Sequence, residues 1–531
     1  MFKQNISRRE FLKLTSMTAL AFAATNFLAV DTVHAANKNL SIKTRNGTYV
    51  GFNRGGVQTW LGIPYAKPPV GNLRWRAPES LPASDEVFDA KKFGFTPIQD
   101  RDEVEPASLL PQSEDCLTLN IWSRPSDNPK PVMVFIPGGG FVSGGTGDPT
   151  YNGANLAAKN DVVVVTINYR LNVFGFMNFA AIDSSFSDSG CLGIKDQIAA
   201  LTWIKDNIAE FGGDPDNVTV FGESAGSISS MLLMIAPAAK GLFNKVIAQS
   251  GHLAFYHTPD QSAKFAAAFM ELSGCADMDE LLKKSADELR DAYENLSMAR
   301  PFSSEVGYFP TCDGKFLPEH PFRALKDGAA HGIKLLTGNT ADEYLYWNLY
   351  YKNFPKYLRE FHGKLTPVMY EGEFTNGIEL FEAWQKNHAD IPDNNRYLEF
   401  ADQLDWRVGQ ELAAEYQSAF DDVYLYLFSQ KSPVAELGSC HAIDLPFVFG
   451  NSSSDIEPKP SAKLIRQVQA AWTSFAATGT PNNALTPTWN AYTAADRQTM
   501  EINSTAWTCR RDLNTQNLTE LRGVYEDNLL D

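Results

Sequence analysis

Gly212-Gly213-Asp214-Pro215-Asp216-Asn217-Val218-Thr219-Val220-Phe221-Gly222-Glu223-Ser224-Ala225-Gly226 is the stretch on which the reading of this chain turns. Residues 218–221 are a short apolar run of β-formers and 227–235 a helix-permissive run, so 222–226 predicts a sharp strand-to-helix turn. In a G-x-S-x-G elbow the serine stands at the tip of the turn, and glycine on either side leaves room for the close backbone contacts that the turn creates. Ser224 is thereby a candidate nucleophile. A pentapeptide with two glycines and a serine also arises by chance in long chains, so the surrounding sequence has to carry the assignment.

Working outward, residues 131–136 and 162–167 are continuous β-branched and apolar runs, which suit strands covered on both faces by helices. Apolar positions 194, 198, 201, 204 and 208 mark one face of a helix, which Gly212-Gly213 ends. Further strands are expected at 245–249, 333–337 and 423–428, with helical material between them. Short alternations with glycine turns over 40–60 read as antiparallel strands at a sheet edge. Strand-helix alternation of this length means an α/β fold, with a mostly parallel central sheet and ligands beyond the carboxyl ends of its strands. The aromatic-rich segments near 255–305 and 345–420 lack strong strand signals and read as helical insertions capping the site.

The elbow is one of several landmarks in a fixed order. Gly62-Ile63-Pro64-Tyr65-Ala66, Pro68-Pro69-Val70-Gly71, Glu114-Asp115-Cys116-Leu117, Asn168-Tyr169-Arg170, Gly193-Ile194-Lys195-Asp196-Gln197 and Phe475-Ala476 through Pro481-Asn482 accompany it. With these, the sequence resembles the carboxylesterase type B/cholinesterase family of α/β-hydrolases. The resemblance implies one α/β-hydrolase domain over 36–531 and hydrolysis of carboxylic esters through an acyl-enzyme. It is compatible with a lipase or amidase using the same residues, and with a non-catalytic adhesion or binding member of the fold.

Acyl transfer builds negative charge on the former carbonyl oxygen, and the glycine run Pro137-Gly138-Gly139-Gly140-Phe141 after a predicted strand offers bare backbone N–H groups for it. By resemblance the donors are the amides of Gly139, Gly140 and Ala225. A serine hydroxyl needs a base, and the base needs a carboxylate to hold its tautomer. His441, in Gly438-Ser439-Cys440-His441-Ala442-Ile443-Asp444, resembles the family's catalytic histidine segment. Glu343, in Thr340-Ala341-Asp342-Glu343-Tyr344, takes the acid's position, with Asp342 beside it as the alternative and Tyr344 where the family usually has glycine. Ser250 matches a serine that supports the acid, and Glu223 a buried structural carboxylate. Tyr346 and Trp347 match gorge-lining positions and would suit a bulky apolar or aromatic ester. By the same resemblance a choline ester is disfavoured, because the family's choline-binding tryptophan belongs in the segment before Glu114 and 97–113 contains none. This chemistry requires no metal and no cofactor.

The net charge of −17 argues against a nucleic-acid partner, and 44% hydrophobic residues are ample for one large core. Ser7-Arg8-Arg9-Glu10-Phe11-Leu12-Lys13, followed by an apolar stretch and the small-residue site Val33-His34-Ala35, reads as a bacterial twin-arginine signal over 1–35. The expected product is periplasmic or secreted, without a stable membrane anchor after cleavage. Six cysteines allow 15 complete pairings, and the expectation is that most are buried thiols.

Overall fold

The computed structural model describes residues 40–101, 106–299, 308–351, 353–364, 377–453 and 456–529. The signal segment read at 1–35 lies outside them. Among the described residues one sheet contains β1 (Leu40–Thr44), β2 (Gly47–Arg54), β3 (Val57–Pro64), β4 (Val87–Asp89), β5 (Thr118–Ser123), β6 (Lys130–Ile136) and β7 (Val163–Ile167). It continues with β8 (Gly213–Glu223), β9 (Lys245–Gln249), β10 (Lys334–Thr340), β11 (Val423–Phe428), β12 (Thr499–Ile502) and β13 (Trp507–Arg510). The spatial order is β1-β2-β3-β5-β7-β6-β8-β9-β10-β11-β12-β13, with β4 paired to β2.

From β7 across to β12 every neighbouring pair is parallel, whereas β1, β2, β3 and β5 on one side and β13 on the other are antiparallel. The central strands alternate between two apolar cores, as a pleat of period two requires. Val132, Val134, Val163 and Val165 enter one core with the helices Leu192–Asn207 and Ala225–Ile235. Met133, Phe135 and Val164 enter the other with the helices Leu445–Phe449 and Ala462–Thr478. The expected strands at 245–249 and 423–428 match β9 and β11. Strand β10 runs three residues past the predicted end at 337, because Gly338, Asn339 and Thr340 keep parallel pairs with β11.

The registers Ile136↔Gly222, Glu223↔Gln249 and Gly338↔Gln249 bring the carboxyl ends of β6, β8, β9 and β10 to one edge. Helices Pro259–Ser273, Met278–Leu282 and Ala286–Ala299 occupy the first expected insertion, and among the described residues five more α-helices lie between Leu345 and Gln417. The last of these, Val408–Gln417, departs from the cap reading. It lies on the sheet, where Gln410 Nε2 donates to the Ala248 carbonyl at 3.1 Å and to Thr337 Oγ1. All six cysteines are free thiols, and five are buried.

Candidate active site

Strand β8 ends at Glu223 and a helix begins at Ala225, so Ser224 alone makes the turn, at φ 55° and ψ −122°. That conformation costs a non-glycine residue about 1–3 kcal/mol and persists because the surroundings dictate it. A Cβ at Gly222 would stand 2.3 Å from the Gly226 carbonyl oxygen, and one at Gly226 would stand 1.9 Å from the Ile136 carbonyl oxygen. Both glycines are therefore steric requirements of the elbow. The Ser224 amide donates to the Gln249 carbonyl at 2.9 Å, tying the tip to β9.

The loop after β6 passes directly over the elbow: a Cβ at Gly138 would meet Ser224 Cβ at 3.0 Å. Gly139 and Gly140 have φ of 105° and 60°, and the Gly139 carbonyl accepts from the Val142 and Ser143 amides at 3.0 and 2.9 Å. This tight turn folds the Gly139 carbonyl back into the loop. Among the described residues no protein acceptor meets the Gly139 or Gly140 N–H. Ala225 opens its helix, where an N–H has no carbonyl four residues back to meet.

His441 Nδ1 lies 2.5 Å from Glu343 Oε2. Glu343 is 1% exposed, and its Oε1 accepts from Ser250 Oγ at 2.7 Å and from the Thr340 amide at 2.8 Å. Burial alone would raise this carboxyl, but the imidazole and these donors hold it below the usual carboxylate range. Asp342 turns elsewhere. Its Oδ2 accepts from the Ser439 amide at 2.7 Å and its own amide donates to the Ser439 carbonyl at 2.9 Å, so it braces the loop that carries His441. Tyr344 stands at φ −75°, a helical value that needs no glycine.

The opposite edge of the imidazole faces the elbow, with Nε2 3.0 Å from Glu223 Oε1. Burial works against charge on His441, yet the Glu223 and Glu343 carboxylates outweigh it and push its pKa up to about 9. Behind the ring, Asp444 Oδ2 accepts from Gln249 Nε2 at 2.8 Å and Tyr426 OH at 2.9 Å, and burial pushes this carboxyl up to about 6.

Of the two expected pocket aromatics, Trp347 reaches the site, with its ring centroid 4.8 Å from that of His441. Tyr346 does not. Adjacent residues on the helix Leu345–Tyr350 point about 100° apart, and Tyr346 packs on Tyr350 at 5.0 Å, against the other core. The aromatic that sequence reading missed is Trp406, also 4.8 Å from His441 and nearly parallel to Trp347. From Trp406 an aromatic wall runs through Phe255 and Phe309 to Phe141, beside Gly140. His252 is buried, with Nε2 2.8 Å from the Asp405 carbonyl.

Residues 38–520 match the Carboxylesterase family. The chain belongs to that family. It is 39% identical over 481 residues to the para-nitrobenzyl esterase of Bacillus subtilis strain 168, covering 87% of this chain and 94% of the relative. It is 34% identical over 467 residues to the fumonisin B1 esterase of Sphingopyxis macrogoltabida, covering 84% and 83%. Among solved structures, a Geobacillus stearothermophilus carboxylesterase at pH 6.2 superposes with a TM-score of 0.80 and 36% identity, over 91% of this chain and 99% of that one. This carboxylesterase is a carboxylic ester hydrolase with the α/β-hydrolase fold, and small-molecule esters are its substrates.

Proposed function

We propose that this carboxylesterase is a serine esterase that forms an acyl-enzyme on Ser224. The observation that carries the proposal is the 2.5 Å contact between His441 Nδ1 and Glu343 Oε2, with Nε2 turned toward the elbow. Glu343 fixes the tautomer, so that neutral His441 takes the Ser224 proton at Nε2 as Oγ attacks the ester carbonyl. The carbonyl oxygen becomes an oxyanion, held by the N–H groups of Gly139, Gly140 and Ala225. Each such donor is worth on the order of 100- to 1000-fold in rate. Collapse expels the alcohol, which takes the proton from His441. Water then attacks the acyl-enzyme with His441 as base, and the carboxylic acid leaves.

Bulky apolar or aromatic esters are the substrates this reading favours. The wall of Trp347, Trp406, Phe255, Phe309 and Phe141 supports it, and the name of the Bacillus subtilis relative, a para-nitrobenzyl esterase, points the same way. A panel of nitrophenyl esters of increasing acyl size, run beside an anilide and an emulsified triglyceride, tests the reading. Preference for soluble bulky esters is expected; faster turnover of the anilide or the emulsion would make the protein an amidase or a lipase. The twin-arginine motif at Arg8-Arg9 supports export to the periplasm or the medium, with cleavage near Ala35. Amino-terminal sequencing of the exported protein should begin near Ala36, and an intact amino terminus on a membrane-bound protein would refute it.

A further inference from the structure

Asp405 and Trp406 lie in one π-turn, Gln403–Arg407, between the helices Asp393–Asp402 and Val408–Gln417. A π-turn inserts an extra residue into a helix at the expense of hydrogen-bond geometry, and such turns recur at functional sites. Trp406 packs on His441. Asp405, the preceding residue, is the hub of a buried polar cluster. Its Oδ2 accepts from Tyr344 OH at 2.7 Å and lies 2.9 Å from His362 Nε2, while its carbonyl meets His252 Nε2. His362 comes from the cap helix Phe354–Lys364, and its Nδ1 lies 2.6 Å from Tyr397 OH. His362 is fully buried and Asp405 is 4% exposed. The hydrogen-bond network assigns the proton of this histidine to Nε2, facing the carboxylate, and leaves Nδ1 to accept from Tyr397. Acyl transfer by Ser224, His441 and Glu343 uses none of these groups.

We propose that His362 is a positioning residue for ester hydrolysis: by closing the chain Tyr397–His362–Asp405 it fixes the π-turn, holds Trp406 against the His441 imidazole, and couples the cap to the reacting geometry. The proposal rests on the serine-esterase reading above. Its physical basis is that His441 is packed by Trp347 and Trp406, so a shift of Trp406 changes where Nε2 points. A displacement of about 1 Å at a reacting group costs about 100-fold in rate. Deleting one partner of a buried carboxylate leaves its charge poorly compensated, and the segment relaxes to find water or another donor.

The test is a double-mutant cycle of His362→Phe and Trp406→Ala, read as kcat and KM on 4-nitrophenyl acetate. His362→Phe is expected to lower kcat by about 10- to 100-fold with KM changed by less than about twofold. The double variant should be no slower than Trp406→Ala alone, because both substitutions remove one coupled arrangement. His362→Gln, whose amide donates to Asp405 and accepts from Tyr397, should recover most of the loss. If His362→Phe does not fold by circular dichroism, His362→Asn replaces it in the cycle, being too short to reach both partners. Losses that multiply in the double variant, or an unchanged kcat in the folded single one, overturn the proposal while fluorophosphonate labelling of Ser224 stays intact. Absence of that label in the unaltered enzyme removes the serine reading and this proposal with it.

Discussion

Replacing Glu223 by glutamine keeps the side chain's size and removes one charge 3.0 Å from His441 Nε2. At that separation a full charge pair is worth roughly 5 kcal/mol at an effective dielectric constant near 20, ample to offset burial of the ring. Together Glu223 and Glu343 push His441 from 6.5 up to about 9. A base that must be neutral to accept the Ser224 proton then gives an activity that rises with pH through a limb above the ordinary histidine range. With Glu343 still in place, Glu223→Gln should bring that limb down by about one to three pH units. The assay is kcat/KM on a nitrophenyl ester, corrected for spontaneous hydrolysis, between pH 5 and 10. Activity at pH 6 to 7 should fall less than the loss of a buried carboxylate alone would suggest, since more of the imidazole becomes neutral. A limb that stays put in the folded variant, or a wild-type limb below about 6, would refute the reasoning.

The same shift enters stability. His441 is raised in the folded state, so its contribution is fully present below pH 6.5 and is lost as pH rises through about 9. Thermal melts should therefore show a smaller loss on alkalinisation in Glu223→Gln than in the wild type. Glu343→Gln should lower turnover by up to about 10,000-fold with little change in KM, whereas Asp342→Asn acts through loop bracing and should cost far less; steady-state kinetics on both decides. Ser250→Ala removes one donor from Glu343 and should lower kcat by about tenfold, and an unchanged kcat would deny it a supporting role. Gly226→Ala would place a methyl 1.9 Å from the Ile136 carbonyl oxygen, so it should abolish soluble expression rather than merely slow the enzyme.

The elbow was legible in the sequence because its glycines answer a steric demand, seen in the contacts a Cβ would make at Gly222 and Gly226. The central strands were legible because burial on both faces leaves runs of apolar and β-branched residues, as in β6 and β7. Choosing Glu343 over Asp342 needed family position, since nothing local distinguishes two adjacent carboxylates; the separation comes from strand β10 extending to Thr340, which aims one at His441 and the other at Ser439. Tyr346 and Trp347 could not be ranked from sequence because the helix from Leu345 is a single short turn and a half, whose inward face its sequence does not mark. Trp406 escaped notice because a π-turn carries no sequence period of its own, and His362 because its partner Asp405 lies 43 positions away.

Peptide mapping after reaction with a fluorophosphonate tests the central claim most directly, because the reagent phosphonylates a serine only where a base and an oxyanion site already surround it. A single label is expected on the peptide containing Ser224, lost on Ser224→Ala and strongly slowed in His441→Gln and Glu343→Gln. A label on any other serine, or an unlabelled protein that still hydrolyses a nitrophenyl ester, would contradict the assignment of Ser224, His441 and Glu343.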